Sequence, residues 1–213
     1  MTSAPSSNPS QEPEEVQPTE LSETRCQHEE RSDIGLSLEE LMARYLEGQE
    51  TAFEMLYRQL TPRLFGYLLR LTRHRERAED LVQITFAKIH RARASYLLDA
   101  PVLPWALAIA RRSFLDECRR AKVRPEDLSR DGELPEPGAR APERDADLAE
   151  ALEFALQRIP AQYAEAIQLT KITELSIAEA ATVLNSTKAA VKLRVHRGYA
   201  LLRKELEDYG RHI

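Results

Sequence analysis

Between Ala180 and Lys204 the chain carries six lysines and arginines and not one acid. A second basic stretch, from Lys88 to Arg124, holds nine lysines and arginines against Asp99, Asp116 and Glu117. Two cationic stretches with an acidic one between them read as two anion-binding surfaces. The overall balance of 30 bases and 35 acids conceals this, because residues 1–40 alone hold ten acids and two bases. Catalytic chemistry has no comparable footing. There is no glycine-rich phosphate loop and no nucleophile elbow, and His74, His90 and His212 show neither triad nor metal-ligand spacing. Cys26-Gln-His28 is at most half a metal site, with no partner ligands nearby, and two cysteines cannot build a disulfide framework. Cys118 falls in a helical pattern, where a small packed side chain is the simpler role than a redox sensor. The expectation is a protein that is not an enzyme, takes no cofactor and binds no metal.

The C-terminal basic stretch has the form of a helix-turn-helix. Ser176-x-x-Glu179 is a capping box that opens a short helix ending near Leu184. Ala181 supplies the small residue that two closely crossing helices need, and Asn185 tolerates the left-handed turn. A final helix from about Lys188 to Glu207 follows. Val191, Val195, Gly198, Leu202 and Leu206 form its apolar seam. The opposite face carries Ala189, Lys192, Leu193 and His196, flanked by Lys188, Arg194 and Arg197, with Thr187 at the entry. That mix suits a DNA major groove: apolar groups against thymine methyls, polar tips on base edges and cations on phosphates. The alternative is a plain amphipathic helix with a solvated face, for which charge of one sign over 25 residues is unusual.

These surfaces need a scaffold, and the pattern along the chain supplies a helical one. Residues 1–36 have no aromatic, four prolines and many Ser and Glu, and are expected to be disordered. Ser37-x-x-Glu40 caps a first helix bearing Leu38, Leu41, Met42, Tyr45 and Leu46. Thr51-x-x-Glu54 is expected to open a second, with Phe53, Leu56, Tyr57, Leu60, Leu64, Leu68 and Leu71 on one stripe and a kink at Pro62. A third runs from about Arg75 to Arg93 with Ala78, Leu81, Val82, Phe86 and Ile89 inward. A fourth starts at Pro104 and carries Trp105, Ala108, Ile109, Phe114 and Leu115 towards Ala121. Trp105 reads either as core or as a stacking platform. From Lys122 to Asp147 the periodicity stops among Pro125, Pro135, Pro137 and Pro142, with eight acids against five bases, which suits a flexible linker. A helix with Leu148, Leu152, Ala155, Leu156 and Ile159 ends at Pro160, and another runs from Tyr163 to Ile172. The expected fold is all-α: a tail (1–36), a helical domain (37–121), an acidic linker (122–147) and a helix-turn-helix domain (148–209). No run approaches 18 apolar residues and no secretory signal is visible, so a soluble, cytoplasmic chain with no membrane insertion is expected.

With both ends read, the chain resembles the extracytoplasmic-function group of bacterial sigma factors, over about residues 45–122 and 148–206. The residues that carry the resemblance are Phe53-Glu-Met-Leu-Tyr57, then Ala78-Glu-Asp-Leu-Val-Gln-Ile-Thr-Phe86. A Trp-led helix follows, from Trp105 to Asp116-Glu-Cys-Arg-Arg120. In the second half they are Ile159-Pro160, Glu179-Ala-Ala181 and Ala190-Val-Lys-Leu-Arg-Val-His-Arg197.

The resemblance implies a promoter-specificity subunit of RNA polymerase. Asp80 and Gln83 would dock on the clamp helices of the polymerase core, and the second domain would meet the flap. Arg91, Arg93, Arg111, Arg112, Arg119 and Arg120 would hold the −10 element as a melted strand, and the final helix would read the −35 duplex. An anti-sigma factor would be the regulator. Acids in the linker would let it thread the polymerase's basic RNA channel. The acidic tail would either fold back on the basic surfaces or serve only as a solubilising segment. Ile84 and Arg112 stand where the family usually has an acid and an Asn, and Ala164 stands near a usual Arg. The other functions in view are a stand-alone helix-turn-helix regulator and a helical adaptor that binds only proteins.

Overall fold

The computed structural model describes residues 35–98, 100–123 and 143–209. The expectations for the acidic tail, for linker residues 124–142, and for Cys26, His28, Asp99 and His212 lie outside the described residues. Every regular element among the described residues is helical, in agreement with the all-α class read from the sequence. We number them α1 (Leu38–Leu46), α2 (Glu50–Thr72), α3 (Arg75–Ala92), α4 (Val102–Val123), α5 (Glu143–Arg158), α6 (Ala161–Ile167), α7 (Ile177–Val183) and α8 (Lys188–Tyr209). A 3-10 turn, Arg93–Ser95, follows α3, and a π-turn, Gln168–Ile172, extends α6.

The first four helices pack around one another, and their apolar stripes make the core. Leu41, Met42, Leu56, Leu60, Leu64, Leu68, Leu81 and Leu107 are at most 2% exposed, and each such burial contributes about 1.5–3 kcal/mol. The capping box at Ser37 is formed in full: Ser37 Oγ accepts from Glu40 N–H at 3.2 Å, and the Glu40 carboxylate accepts from Ser37 N–H at 2.8 Å. The Ser37 N–H, and then the Ser37 hydroxyl donating to the same carboxylate at 2.9 Å, hold the Glu40 carboxyl below its usual range.

Several element boundaries differ from those read in the sequence, each for a physical reason. Helix α2 begins at Glu50, so Thr51 lies inside it and caps nothing. Gly48, at φ +93°, ends the preceding turn two residues earlier than the Thr51 signal suggested. The same helix runs through Pro62, which is exposed, so the carbonyl that loses its donor faces water. Helix α4 begins at Val102 because the Glu39 carboxylate, from α1, accepts the Val102 N–H at 3.0 Å. Pro104 is therefore the third helical residue, still among the positions that need no intrahelical donor. Helix α4 extends to Val123, and α5 starts at Glu143 with acids in its first turn, so both helices run into the span expected to be linker.

In the C-terminal half, α5, α6 and α7 all pack on α8. Ala155, Leu156, Ile159, Ile167 and Leu202 form the buried centre, with Tyr163, Ala164 and Leu206 against it. Gly198 sets how closely α6 and α8 approach. A Cβ there would lie 2.8 Å from Ile167 Cδ1 and 3.2 Å from Tyr163 Cβ.

The two groups of helices also touch. Helix α4 packs against α7, and Tyr67 of α2 reaches α6. Tyr67 is 1% exposed, and its hydroxyl donates to Glu165 Oε1 at 2.7 Å. The buried amide of Gln168 donates from Nε2 to the Tyr67 carbonyl at 3.2 Å. The π-turn, with Thr173 N–H donating to Gln168 O at 2.9 Å, follows directly. At the exposed rim Arg70 pairs with Glu153 at 3.5 Å, and Arg73 donates to Gln157 O at 3.1 Å. Such rim contacts contribute about 0–1 kcal/mol each.

Burial, and then the neighbouring Glu165 charge, push the Tyr67 hydroxyl well above the ordinary tyrosine range. Because the folded value exceeds the unfolded one, its contribution to stability is complete below the ordinary value and is lost as pH rises above it. Tyrosinate absorbance during alkaline titration is expected to show Tyr67 ionising last, together with loss of structure. A Tyr67→Phe curve that overlays the wild type would contradict this. Replacing Gly198 with Val is expected to cost about 1–3 kcal/mol by overpacking and to lower the melting temperature by several degrees. An unchanged melting temperature would show that α6 and α8 can separate freely.

Candidate nucleic-acid and polymerase interfaces

The helix-turn-helix is built as its sequence requires. The Ser176 Oγ accepts from Glu179 N–H at 3.2 Å, and the Glu179 carboxylate accepts from Ser176 N–H at 2.8 Å, which starts α7. Asn185 takes the left-handed conformation at φ +48°, and Ser186 N–H donates to Ala181 O at 2.9 Å, closing the turn. Thr187 Oγ1 accepts from Ala190 N–H at 3.1 Å, so its oxygen is spent on capping α8. Ala180, Ala181 and Val191 are buried where the helices cross, and Gly198 and Leu202 continue the seam. The face turned outward carries Lys188, Ala189, Lys192, Leu193, His196 and Arg197, all exposed, with Arg194 half-buried beside them. Leu193 is 48% exposed, an apolar side chain held out among cations.

The second basic stretch does not present all its arginines alike. Arg91, Arg112, Arg119 and Arg120 are exposed. Arg112 Nε donates to Ala108 O at 3.2 Å, and Arg119 lies 3.4 Å from Asp116, an acid that Lys88 also meets at 3.4 Å. Arg93 is half-buried: its guanidinium donates to His90 O at 2.7 Å and stands 5.9 Å from the Tyr45 ring centroid. Arg111 departs furthest from the expectation of a strand-holding side chain. Its Nε donates to Glu165 Oε1 at 2.8 Å and Nη2 reaches Oε2 at 3.5 Å, with the two side chains only 20% and 12% exposed. Burial works against the Arg111 charge, but the hydrogen bond and the negative charge of Glu165 together more than offset it, so the guanidinium holds its proton more tightly than usual. Trp105 is half-buried and packs edge-on against Tyr96, ring centroids 4.9 Å apart. Leu97 and Leu98, outside the candidate residues of the sequence pattern, are 75% and 62% exposed just before α4. The available signal was two adjacent leucines outside any helical stripe.

On α3, Leu81, Val82, Thr85 and Phe86 point inward, leaving Asp80 and Gln83 exposed one turn apart. Ile84, beside them, is 44% exposed, and Tyr57 of α2 is 41% exposed with its ring 4.4 Å from that of Phe86. Polar groups thus border an apolar patch, the arrangement of a protein-binding surface. Among the described residues no group of His, Cys, Asp and Glu could hold a metal ion. No described helix is long and apolar enough to cross a membrane.

Comparison with known proteins agrees with this geometry. Residues 56–124 match the family description Sigma-70 region 2, and residues 149–202 match Sigma-70, region 4. The RNA polymerase sigma factor CarQ of Myxococcus xanthus is 33% identical over 167 residues, 78% of this chain and 96% of that protein. The ECF RNA polymerase sigma factor SigM of Mycobacterium tuberculosis is 31% identical over 177 residues, 83% of this chain and 86% of its own. Among solved structures, the sigma factor RpoE bound to the anti-sigma factor NepR from Bartonella quintana superposes with a TM-score of 0.60. It is 27% identical, and the match covers 73% of this chain and 96% of that one. CnrH, solved with the cytosolic domain of CnrY, shares the fold at a TM-score of 0.59 and 24% identity, over 79% of this chain and 96% of its own. Two basic helical surfaces, an outward polar pair on α3 and this set of relatives converge: the chain belongs to the extracytoplasmic-function group of RNA polymerase sigma factors.

Proposed function

We propose that this sigma factor divides promoter recognition between the two surfaces described above. Exposed Asp80 and Gln83 on α3 contact the clamp helices of core polymerase, with Ile84 and Tyr57 adding apolar area. Arg91, Arg93, Arg112, Arg119 and Arg120, joined by Arg111, line the path of the melted −10 strand. On α8, Lys188, Ala189, Lys192, Leu193, Arg194, His196 and Arg197 face the −35 duplex, while Thr187 fixes the helix start. The carrying observation is the outward face of α8, basic and free of acids opposite a buried apolar seam. The C-terminal helices also meet the polymerase flap. The chain works in the cytoplasm, where polymerase and chromosome are. The solved relatives RpoE and CnrH were captured with partner proteins, NepR being an anti-sigma factor, and an anti-sigma partner for this chain follows by analogy.

The purified chain is expected to co-elute with bacterial core polymerase and to give promoter-dependent run-off transcripts. The pair Asp80→Ala and Gln83→Ala should weaken core binding by tenfold or more, in line with loss of central interface contacts. Arg197→Ala should weaken holoenzyme binding evenly across promoters and reduce the salt slope by about 1, the mark of one lost phosphate contact. No association with core would overturn the reading. Tight duplex binding by the chain alone would replace it with a stand-alone regulator, and no DNA preference at all with an adaptor.

A further inference from the structure

We propose that Glu165 is a latch: in the free chain it holds the helix-turn-helix half against the −10-binding half by occupying Arg111 in place of DNA phosphate. The proposal rests on the assignment of Arg111 to the −10 surface. Glu165 sits on α6, yet among the described residues its side chain bonds to Tyr67 and Arg111 of the other half, 98 and 54 residues away. Its Oε1 accepts from both the Tyr67 hydroxyl, at 2.7 Å, and Arg111 Nε, at 2.8 Å, while Oε2 faces Arg111 Nη2 at 3.5 Å. Two guanidinium nitrogens directed at two carboxylate oxygens is the fork geometry by which arginine also holds a phosphate. The carboxylate and a DNA phosphate therefore compete for one guanidinium, and only one can have it.

The contact is built into the fold. Gln168, one turn beyond Glu165, is 4% exposed and donates to the Tyr67 backbone, so α6 is fixed to α2 at two points. Helix α4, which carries Arg111, also packs against α7. Opening the latch strands a buried tyrosine hydroxyl and a buried glutamine amide unless water reaches them, so the closed state is favoured in isolation. Promoter geometry demands the open state. The −10 and −35 elements are centred about 25 base pairs apart, roughly 85 Å at ~3.4 Å per pair. Two surfaces on halves that touch through 2.7–2.8 Å contacts cannot occupy both elements together. Between Val123 and Glu143 lie nineteen residues, whose extended reach of about 65 Å, added to the length of the helices they join (α4 alone about 33 Å at ~1.5 Å per residue), covers the separation. Release of Glu165 thus both frees Arg111 and lets the halves part, which couples polymerase binding to DNA competence.

The test uses the full chain with Cys26→Ser and Cys118→Ser, spin-labelled at Glu47→Cys and Arg203→Cys, and reads the distance between labels by double electron–electron resonance. The free chain should give one short, narrow distribution that lengthens when core polymerase is added. Glu165→Gln, and more strongly Glu165→Lys, should shift the free chain towards the long distribution with helicity retained. Both should also raise its affinity for a single-stranded −10 oligonucleotide by roughly tenfold, the gain from removing a closed-state population. Tyr67→Phe, which removes only a hydroxyl, should give a smaller shift in the same direction. A long distribution in the free wild type, or a short one unchanged by both Glu165 variants, would overturn the latch. The free-chain distances decide this whether or not core polymerase binds. Failure to bind core would count against the sigma-factor assignment instead, so the two claims fail separately.

Discussion

A buried phenol hydroxyl needs an acceptor, and the way this chain provides one organises the rest. Tyr67 of α2 is buried, and its hydroxyl is satisfied by donating to the Glu165 carboxylate. That carboxylate, 12% exposed, in turn needs a cation, which Arg111 supplies. Each group is acceptable where it lies only because the next is present. One tyrosine buried in α2 therefore draws together α4 and α6, and with them the two halves of the molecule.

Much of the fold was legible in the sequence, and the exceptions share one cause. Leu81, Val82, Phe86 and Ile89 are buried as their spacing requires, and both serine capping boxes form, because period and cap are local properties of the chain. The turn at Asn185 and the seam of Val191, Gly198 and Leu202 were legible for the same reason. The start of α4 was not: Glu39, 63 residues away, takes the Val102 N–H, and no local signal records that. The Thr51 capping signal was overridden by the glycine turn at Gly48. Glu165 is an ordinary acid in sequence, and its placement against Tyr67 and Arg111 depends on contacts across 98 and 54 residues. The exposure of Asp80, Gln83 and the outward residues of α8 was legible from helical spacing. Which of the arginines is already engaged was not, since side-chain pairing is decided in three dimensions.

The two surfaces make different demands and are built differently. The outward face of α8 lies on a rigid helix whose approach is set by Gly198, as a reader of base edges needs. The other surface, around α4, mixes exposed arginines with half-buried aromatic residues and the exposed pair Leu97 and Leu98. A cationic track with apolar and aromatic neighbours suits a flexible strand better than a duplex. On the proposed reading, shape recognition of duplex and capture of a strand fall to separate groups of helices. That separation is useful only if the two can be moved apart.

The central claim is that one chain, placed on polymerase, reads two promoter elements at once. Footprinting of promoter DNA with core polymerase, the free chain and their mixture tests it most directly. The account predicts that the mixture alone protects the −35 duplex and exposes unpaired bases at the −10 element on the same DNA molecule. Protection of duplex by the free chain, equal in extent with and without core and with no melting, would contradict it.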